Sequence, residues 1–327
     1  MLTTGRAFLQ TGCLLAAPSR FFTVESLSAE SSILIPEPSP PLPKAAPARQ
    51  PSRPPEPTIR IRPSKGWSPI NIRELWSYRD LLWILVERDV RLLYKQTALG
   101  ILWVVLQPLI AAVILSIVFG WVAQLPSDGA PYLLFVICGM TVMTYFSQAL
   151  QRAGNAVVFN AHLVSKVYFP RLLLPLVFIL RALIDLVTIL VVVFALMALY
   201  RIPPSFRLLT IPALTVLLVV TATGIAVWFS ALSVKYRDCT NALPYFLQIW
   251  MYATPVVYPV SIVPEKWLWL FAVNPAVGYI EMFRWAILGK PAFRWDLLVI
   301  AVSVSLVVLI TGAFFFRRAE REFADFI

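Results

Sequence analysis

Two pairs of charged residues stand where charge is expensive, and they are the first candidates for chemistry. Arg181 and Asp185 lie inside a long apolar stretch, and a spacing of four puts them on one face of a helix. A charge near the centre of a bilayer costs about 2.5–3.5 kcal/mol on insertion scales, so such groups pair with each other or mark a pathway. The pair is either a structural contact inside a helix bundle or a gating or substrate group. Glu281 and Arg284, three residues apart, follow a break at Asn274, Pro275 and Gly278. Little else qualifies. His162 is the only histidine, and Cys13, Cys138 and Cys239 are scattered without a C-x-x-C, so neither a zinc site nor a His-based proton relay can be assembled. No catalytic residue and no metal ligand is assigned.

The elements that must position these residues are membrane helices. Of 327 residues, 59% are hydrophobic and 14% charged, an excess of apolar residues that belongs in lipid. They are gathered into blocks long enough to cross a hydrocarbon core of about 30 Å. The pattern predicts an all-α polytopic membrane protein with six spans over residues 99–316: Leu99 to Val122, Tyr132 to Leu150, Leu172 to Tyr200, Leu208 to Leu232, Leu243 to Val260 and Leu297 to Phe316. Between the last two, Trp267 to Phe271 and Gly278 to Leu288 are apolar but too short to cross. They read as a re-entrant hairpin, because irregular backbone is not tolerated against lipid.

Residues 1–57 read as a disordered extension, with Pro36 to Pro57 dominated by proline, alanine and serine. Met1 to Phe22 only weakly resembles a targeting segment. Residues 58–98 form a basic segment whose stretch from Asn71 to Gln96 alternates Leu75, Trp76, Leu82, Trp83, Val86 and Val90 with Arg73, Arg79, Arg88, Arg91 and Lys95. That is an amphipathic helix suited to lipid headgroups. The net charge of +11 comes mostly from Lys and Arg flanking apolar blocks, which speaks for orientation in a membrane and against nucleic acid. Arg152, Lys166, Arg171, Lys235, Arg237, Arg317, Arg318 and Arg321 fall on one side, together with the basic segment. Both termini, including the basic tail at residues 317–327, are therefore predicted to be cytoplasmic.

Four segments give these elements a family likeness: KQTALGILWVVLQP from Lys95 to Pro108, VKYRDCTNALPYFLQIWMYATPVVYP from Val234 to Pro259, NPAVGYIEMFRWAILG from Asn274 to Gly289, and FFFRRAEREFADFI from Phe314 to Ile327. In order and content they resemble the ABC-2 type permeases that export polysaccharide, O-antigen or teichoic acid, over about residue 70 to the end. The resemblance implies a homodimeric permease in the bacterial cytoplasmic membrane, paired with a separate ABC ATP-binding subunit and passing a lipid-linked polysaccharide between its two copies. No G-x-x-x-x-G-K-[ST] occurs here, so ATP and Mg would be bound by the partner, and no cofactor is expected in this chain.

By the same resemblance, the loops bearing Arg152 and Lys166, and Tyr236, Arg237 and Asp238, would meet the ATPase. For Arg237 and Asp238, a helix cap with a positive-inside residue is an equal reading. The segment holding Asn274, Pro275, Gly278, Glu281 and Arg284 resembles the family's external gate, with a static plug as the alternative. A sugar polymer offers weakly apolar C–H faces, so a path for it favours aromatic rings; Tyr145, Trp250 and Tyr252 are the mid-span candidates. Export of drugs or small lipids is the runner-up. An enzyme acting on lipid-linked sugars is disfavoured, since Asp128, Glu265, Glu281 and Asp296 are scattered and no D-x-D occurs.

Overall fold

Backbone placed in lipid has to satisfy its own hydrogen bonds, and the Leu-, Val- and Ile-rich blocks of this chain do so as helices. The computed structural model describes residues 72–95, 102–289, 294–321 and 323, all within one unit, Arg62–Ile327. The proline-rich extension and residues 58–71 lie outside the described residues, as does the end of the basic tail. The helices are α1 (Ile72–Ser77), α2 (Arg79–Tyr94), α3 (Leu102–Leu115), α4 (Tyr132–Ala153), α5 (Ala156–Phe159), α6 (Ala161–Lys166), α7 (Leu173–Leu199), α8 (Ile211–Lys235), α9 (Asp238–Tyr252), α10 (Glu265–Ala272), α11 (Pro275–Leu288) and α12 (Trp295–Ala319). A π-helical stretch, Ser116–Val122, prolongs α3, and a 3₁₀ turn, Phe206–Thr210, leads into α8. Among the described residues there is no strand.

Among the described residues, five helices are long and apolar enough to cross a membrane: Leu102–Val122, Tyr132–Ala153, Leu173–Leu199, Phe206–Lys235 and Trp295–Ala319. The predicted stretch from Leu243 to Val260 behaves differently. Helix α9 has 15 residues, about 22 Å at 1.5 Å per residue, and the chain leaves helical geometry after Tyr252. The cause is local: Pro255 and Pro259 lack the amide hydrogens a continuing helix would need. The basic segment also divides, with α1 and α2 separated at Tyr78.

Helix α4 is the pole of the bundle. It has the lowest mean hydropathy of the five, 1.7, yet 78% of its most apolar stretch is buried, against 11% for the first span at 2.5. The inversion is physical. A helix surrounded by protein can carry Thr141, Tyr145 and Gly139, whereas one facing lipid must be apolar throughout. Helices α7, α8, α11 and α3 pack around it.

Helices α8 and α12 make the tightest pair. A Cβ on Gly224 would come within 2.8 Å of the backbone nitrogen of Leu309, and one on Gly312 within 2.7 Å of the Gly224 carbonyl oxygen. The backbones therefore touch, and only glycine fits. One turn further along, Trp228 stacks on Phe315 at 4.3 Å and donates to Thr311 at 3.2 Å. Contacts advance together along both helices, so the two run in the same direction. Gly312→Leu is expected to lower the stability of the detergent-purified protein by at least about 1–3 kcal/mol, the usual cost of overpacking. Ser303→Ala, on an exposed position of α12, should leave the melting midpoint unchanged. Equal midpoints for the two variants would contradict the packing described.

Candidate functional site

The non-helical stretch after α9 passes through a packed interior, so its carbonyl groups need partners that a helix would have supplied. Side chains supply them. Arg284, fully buried on α11, donates to the carbonyl oxygens of Val256 and, at 3.4 Å, Tyr258. The Tyr132 hydroxyl, at the start of α4, donates to the Val257 carbonyl at 2.6 Å. Arg284 also pairs with Glu281 at 3.1 Å, and its guanidinium lies 3.6 Å from the Phe135 ring centroid. Three successive carbonyls are thus held by two side chains.

Asn274 closes the same region from the other side. As N-cap of α11 its side-chain oxygen accepts from the Ala276 amide at 3.1 Å and from the Trp250 indole at 2.8 Å. Its amide donates to Thr254 at 2.8 Å, and Thr254 donates back to the Trp250 carbonyl at 2.7 Å. Pro275 takes the first helical position, where its missing N–H is harmless. Gly278, read from sequence as part of the break, lies within α11; a Cβ there would come within 2.7 Å of the Leu297 carbonyl oxygen on α12. Of the 14 residues of α11, 11 are buried, so this helix is enclosed by the bundle rather than laid on it.

Below Asn274, the hydroxyls of Thr221, Tyr279 and Ser305 lie 2.7–3.0 Å from one another, tying α11 to α8 and α12. Two hydrogens have carbonyl acceptors at Leu217 and Ala301, which leaves the third for the ring of oxygens itself. Beside them opens a pocket of about 500 Å³, walled by Phe246, Trp250, Phe271 and Val304 and touched by Thr221, Ser305 and Asn274.

Of the three aromatic candidates, Tyr145 is buried with no hydrogen-bond partner for its hydroxyl, and it packs against Phe146. Trp250 is half-buried at the pocket wall. Tyr252 is 69% exposed, on the same open side of α9 as Tyr245 and Ile249.

At the opposite end of the bundle, α5 packs on α8, and Ala156 and Val157 meet Val227, Ala231 and Val234. This packing brings the connection bearing Arg152 and Lys166 to the same end as Tyr236, Arg237 and Asp238. Lys166, Tyr236, Arg237 and Asp238 are exposed and Arg152 half-buried. Phe316 and Phe323 join the cluster edge to face at 5.4 Å, and Leu75, Tyr78, Leu81 and Leu82 of the first two helices pack onto it. Arg171 donates to the Glu320 carbonyl at 2.8 Å and covers the Phe323 ring. At the other end, Arg294, just before α12, donates to Asp296 in its first turn at 3.2 and 2.6 Å, and that hydrogen bond raises the Arg294 pKa above the ordinary guanidinium value.

Arg181 reaches Asp185 at 3.4 Å, and also Asp89 of α2 at 3.6 Å. Sequence reasoning missed Asp89, since nothing in a helix of alternating charge distinguishes one inward carboxylate. It also missed the hydrogen bond from Tyr132 to the Val257 carbonyl and the hydroxyl trio, whose members lie on different helices. The one available signal for Asp89 was its position among Leu85, Val86 and Val90, on the apolar side of α2.

Residues 80–288 match the ABC-2 type transporter family. The chain is 26% identical over 251 residues to the O-antigen export system permease protein RfbA of Klebsiella pneumoniae, covering 76% of this chain and 95% of that protein. It is also 26% identical to RfbA of Myxococcus xanthus, covering 78% of this chain and 98% of that protein. The polysialic acid transport protein KpsM of Escherichia coli is 22% identical, covering 71% of this chain and 91% of that protein.

Removing one partner of a buried ion pair costs about 3–5 kcal/mol, because the other charge is stranded. Arg284→Met should fall in that range by thermal unfolding in detergent, with the added loss of two carbonyl partners. Glu281→Gln should cost less, and the double variant less than the two single effects together. Additive losses would show that the pair is not coupled.

Proposed function

This chain belongs to the ABC-2 type transporter family, and from that premise we propose that it is the permease subunit of an ABC exporter carrying a lipid-linked polysaccharide, such as an O-antigen or capsular glycan, across the bacterial cytoplasmic membrane. One observation carries the reading: relatives named for O-antigen and polysialic acid transport align with 91–98% of their own length. In this reading a separate ABC subunit binds ATP and Mg and hydrolyses the nucleotide, and two copies of the permease enclose the path.

The end carrying α5, α6 and the turn at Tyr236, Arg237 and Asp238 faces the cytoplasm and receives the ATPase, with Arg152 and Lys166 completing the contact. Both termini are then cytoplasmic, which requires an even number of crossings. The sixth is supplied by α9 and the stretch to Pro259 together, the unwound half being carried by Arg284 and Tyr132. Helices α10 and α11 form the re-entrant hairpin at the outer side, and Asn274, Pro275, Gly278, Glu281 and Arg284 build the external gate. The enclosed α11 supports that role, because a displaced hairpin has to open the bundle.

The exposed side of α9, with Tyr245, Ile249 and Tyr252, forms one wall of the path, Trp250 lines its edge, and Tyr145 backs it. Flat rings suit a polymer that must slide. They contact C–H faces of sugars without fixing any one register, whereas strong charges would trap the chain. Helices α1 and α2 complete the cytoplasmic face as an amphipathic interface element, with Trp76 and Trp83 exposed toward headgroups.

Deleting the gene should leave finished glycan inside the cell and remove it from the surface, measured by periodate–hydrazide labelling of intact and lysed cells. Surface label equal to that of the parent strain would overturn polysaccharide export. The paired reversal Arg237→Glu with Lys166→Glu should abolish co-purification of the ATP-binding subunit while the permease remains in the membrane fraction. Undiminished co-purification would remove these residues from the interface.

A further inference from the structure

The contact between Asp89 and Arg181 has the geometry of a joint. Arg181 is the ninth residue of α7, about 12 Å along the helix from its end. Its guanidinium is 3% exposed and lies between Asp185 on its own helix and Asp89 on α2. The two carboxylates are not equivalent. Asp185 moves with Arg181 whatever α2 does, so the arginine keeps one partner if α2 departs. Asp89 is 16% exposed and can be rehydrated.

The joint is also loosely made. Asp89 Oδ2 and Arg181 Nη1 lack hydrogen-bond partners, and the Asp89 contact spans 3.6 Å rather than a bidentate fork. One turn away, Leu85 and Val86 of α2 pack on Val177 and Leu180 of α7, a small apolar patch that can slide or part. The ionic contact of Asp89 with Arg181 joins α2 to the third span, and it can open while leaving Arg181 paired with Asp185.

We propose that Asp89 is a positioning residue whose make-and-break contact with Arg181 passes movement of the interface helix to the third span during each transport cycle. This rests on the reading of the chain as an ATP-driven export permease. When α2 is docked, Asp89 holds α7 in one position; when the ATPase draws α2 away, Asp89 returns to water and α7 is released with Arg181 still neutralised by Asp185. The third span packs on α4, and α4 contacts α11 and the segment held by Arg284, so its movement has a contiguous route to the hairpin.

The test is Asp89→Asn in the complex with its ATP-binding subunit. Surface glycan, labelled as above on intact cells, is expected to fall about tenfold, within the range of coupling changes from residues that touch neither ligand. The amount of membrane-inserted permease, its melting midpoint, the co-purifying ATPase and its nucleotide turnover should stay at wild-type levels, and Asp89→Glu should restore export in part. Wild-type export by Asp89→Asn overturns the proposal, as does a loss that merely follows a fall in folded permease or bound ATPase. Should the variant fail to fold, Val86→Cys with Val177→Cys, in a background with Cys13→Ser and Cys239→Ser, locks the joint through a short bifunctional thiol reagent. Locking should stop export, with ATPase still bound; normal export when locked refutes the joint. The deletion strain separates the two levels: if it keeps its surface label, the export reading fails, whereas label lost there but kept in Asp89→Asn sinks only the joint.

Discussion

Everything at the end of the bundle where α9 breaks off depends on how an interrupted helix keeps its backbone dry. Between Tyr252 and Pro259 the chain gives up the internal ladder that normally makes membrane helices self-sufficient, and the carbonyl groups of Val256, Val257 and Tyr258 would otherwise be left without these partners. One guanidinium and one phenol meet that need. The arginine is itself affordable only because Glu281 neutralises it and the Phe135 ring shields its face. Backbone satisfaction, charge neutralisation and aromatic cover are therefore a single arrangement, and α11 is fixed in place as its consequence.

That dependence explains why α10 and α11 sit where they do. An enclosed helix ordinarily gains its place by burying apolar surface, but lipid offers the same environment, so apolar burial alone does little to hold a helix inside a membrane bundle. Polar links have to do it. Asn274 at one end, the hydroxyls of Thr221, Tyr279 and Ser305 in the middle, and Arg284 beyond them space such links along α11. Together these links reference α11 to α8, α9 and α12 and to the stretch that follows Tyr252.

Five of the six predicted spans were legible in the sequence because length and hydropathy are properties of one block at a time. Four segments did carry a family likeness, and the full-length relatives bear that family out. What composition could not reveal was which groups meet. Arg181 and Asp185 share a helix, so their spacing was visible; Asp89 lies 92 positions earlier and joins them only through packing. Hydropathy likewise ran straight through Pro255 and Pro259, since an average over Ala, Thr, Val and Tyr does not register a missing amide hydrogen. Tyr145 shows the same limit in reverse: an aromatic in mid-span is equally at home against lipid, against a path or in the core, and only its neighbours distinguish these.

The aromatic ring of Phe323 has a practical bearing on how the molecule can be handled. Phe323 is 1% exposed, gripped between Phe316 and Arg171, so the segment after α12 stays engaged with the rest of the fold at that residue. An affinity handle or fluorescent fusion joined directly behind it would tug on the same cluster that seats the first two helices. A long, flexible spacer after Ile327 would decouple that load and let the purified subunit report its native behaviour.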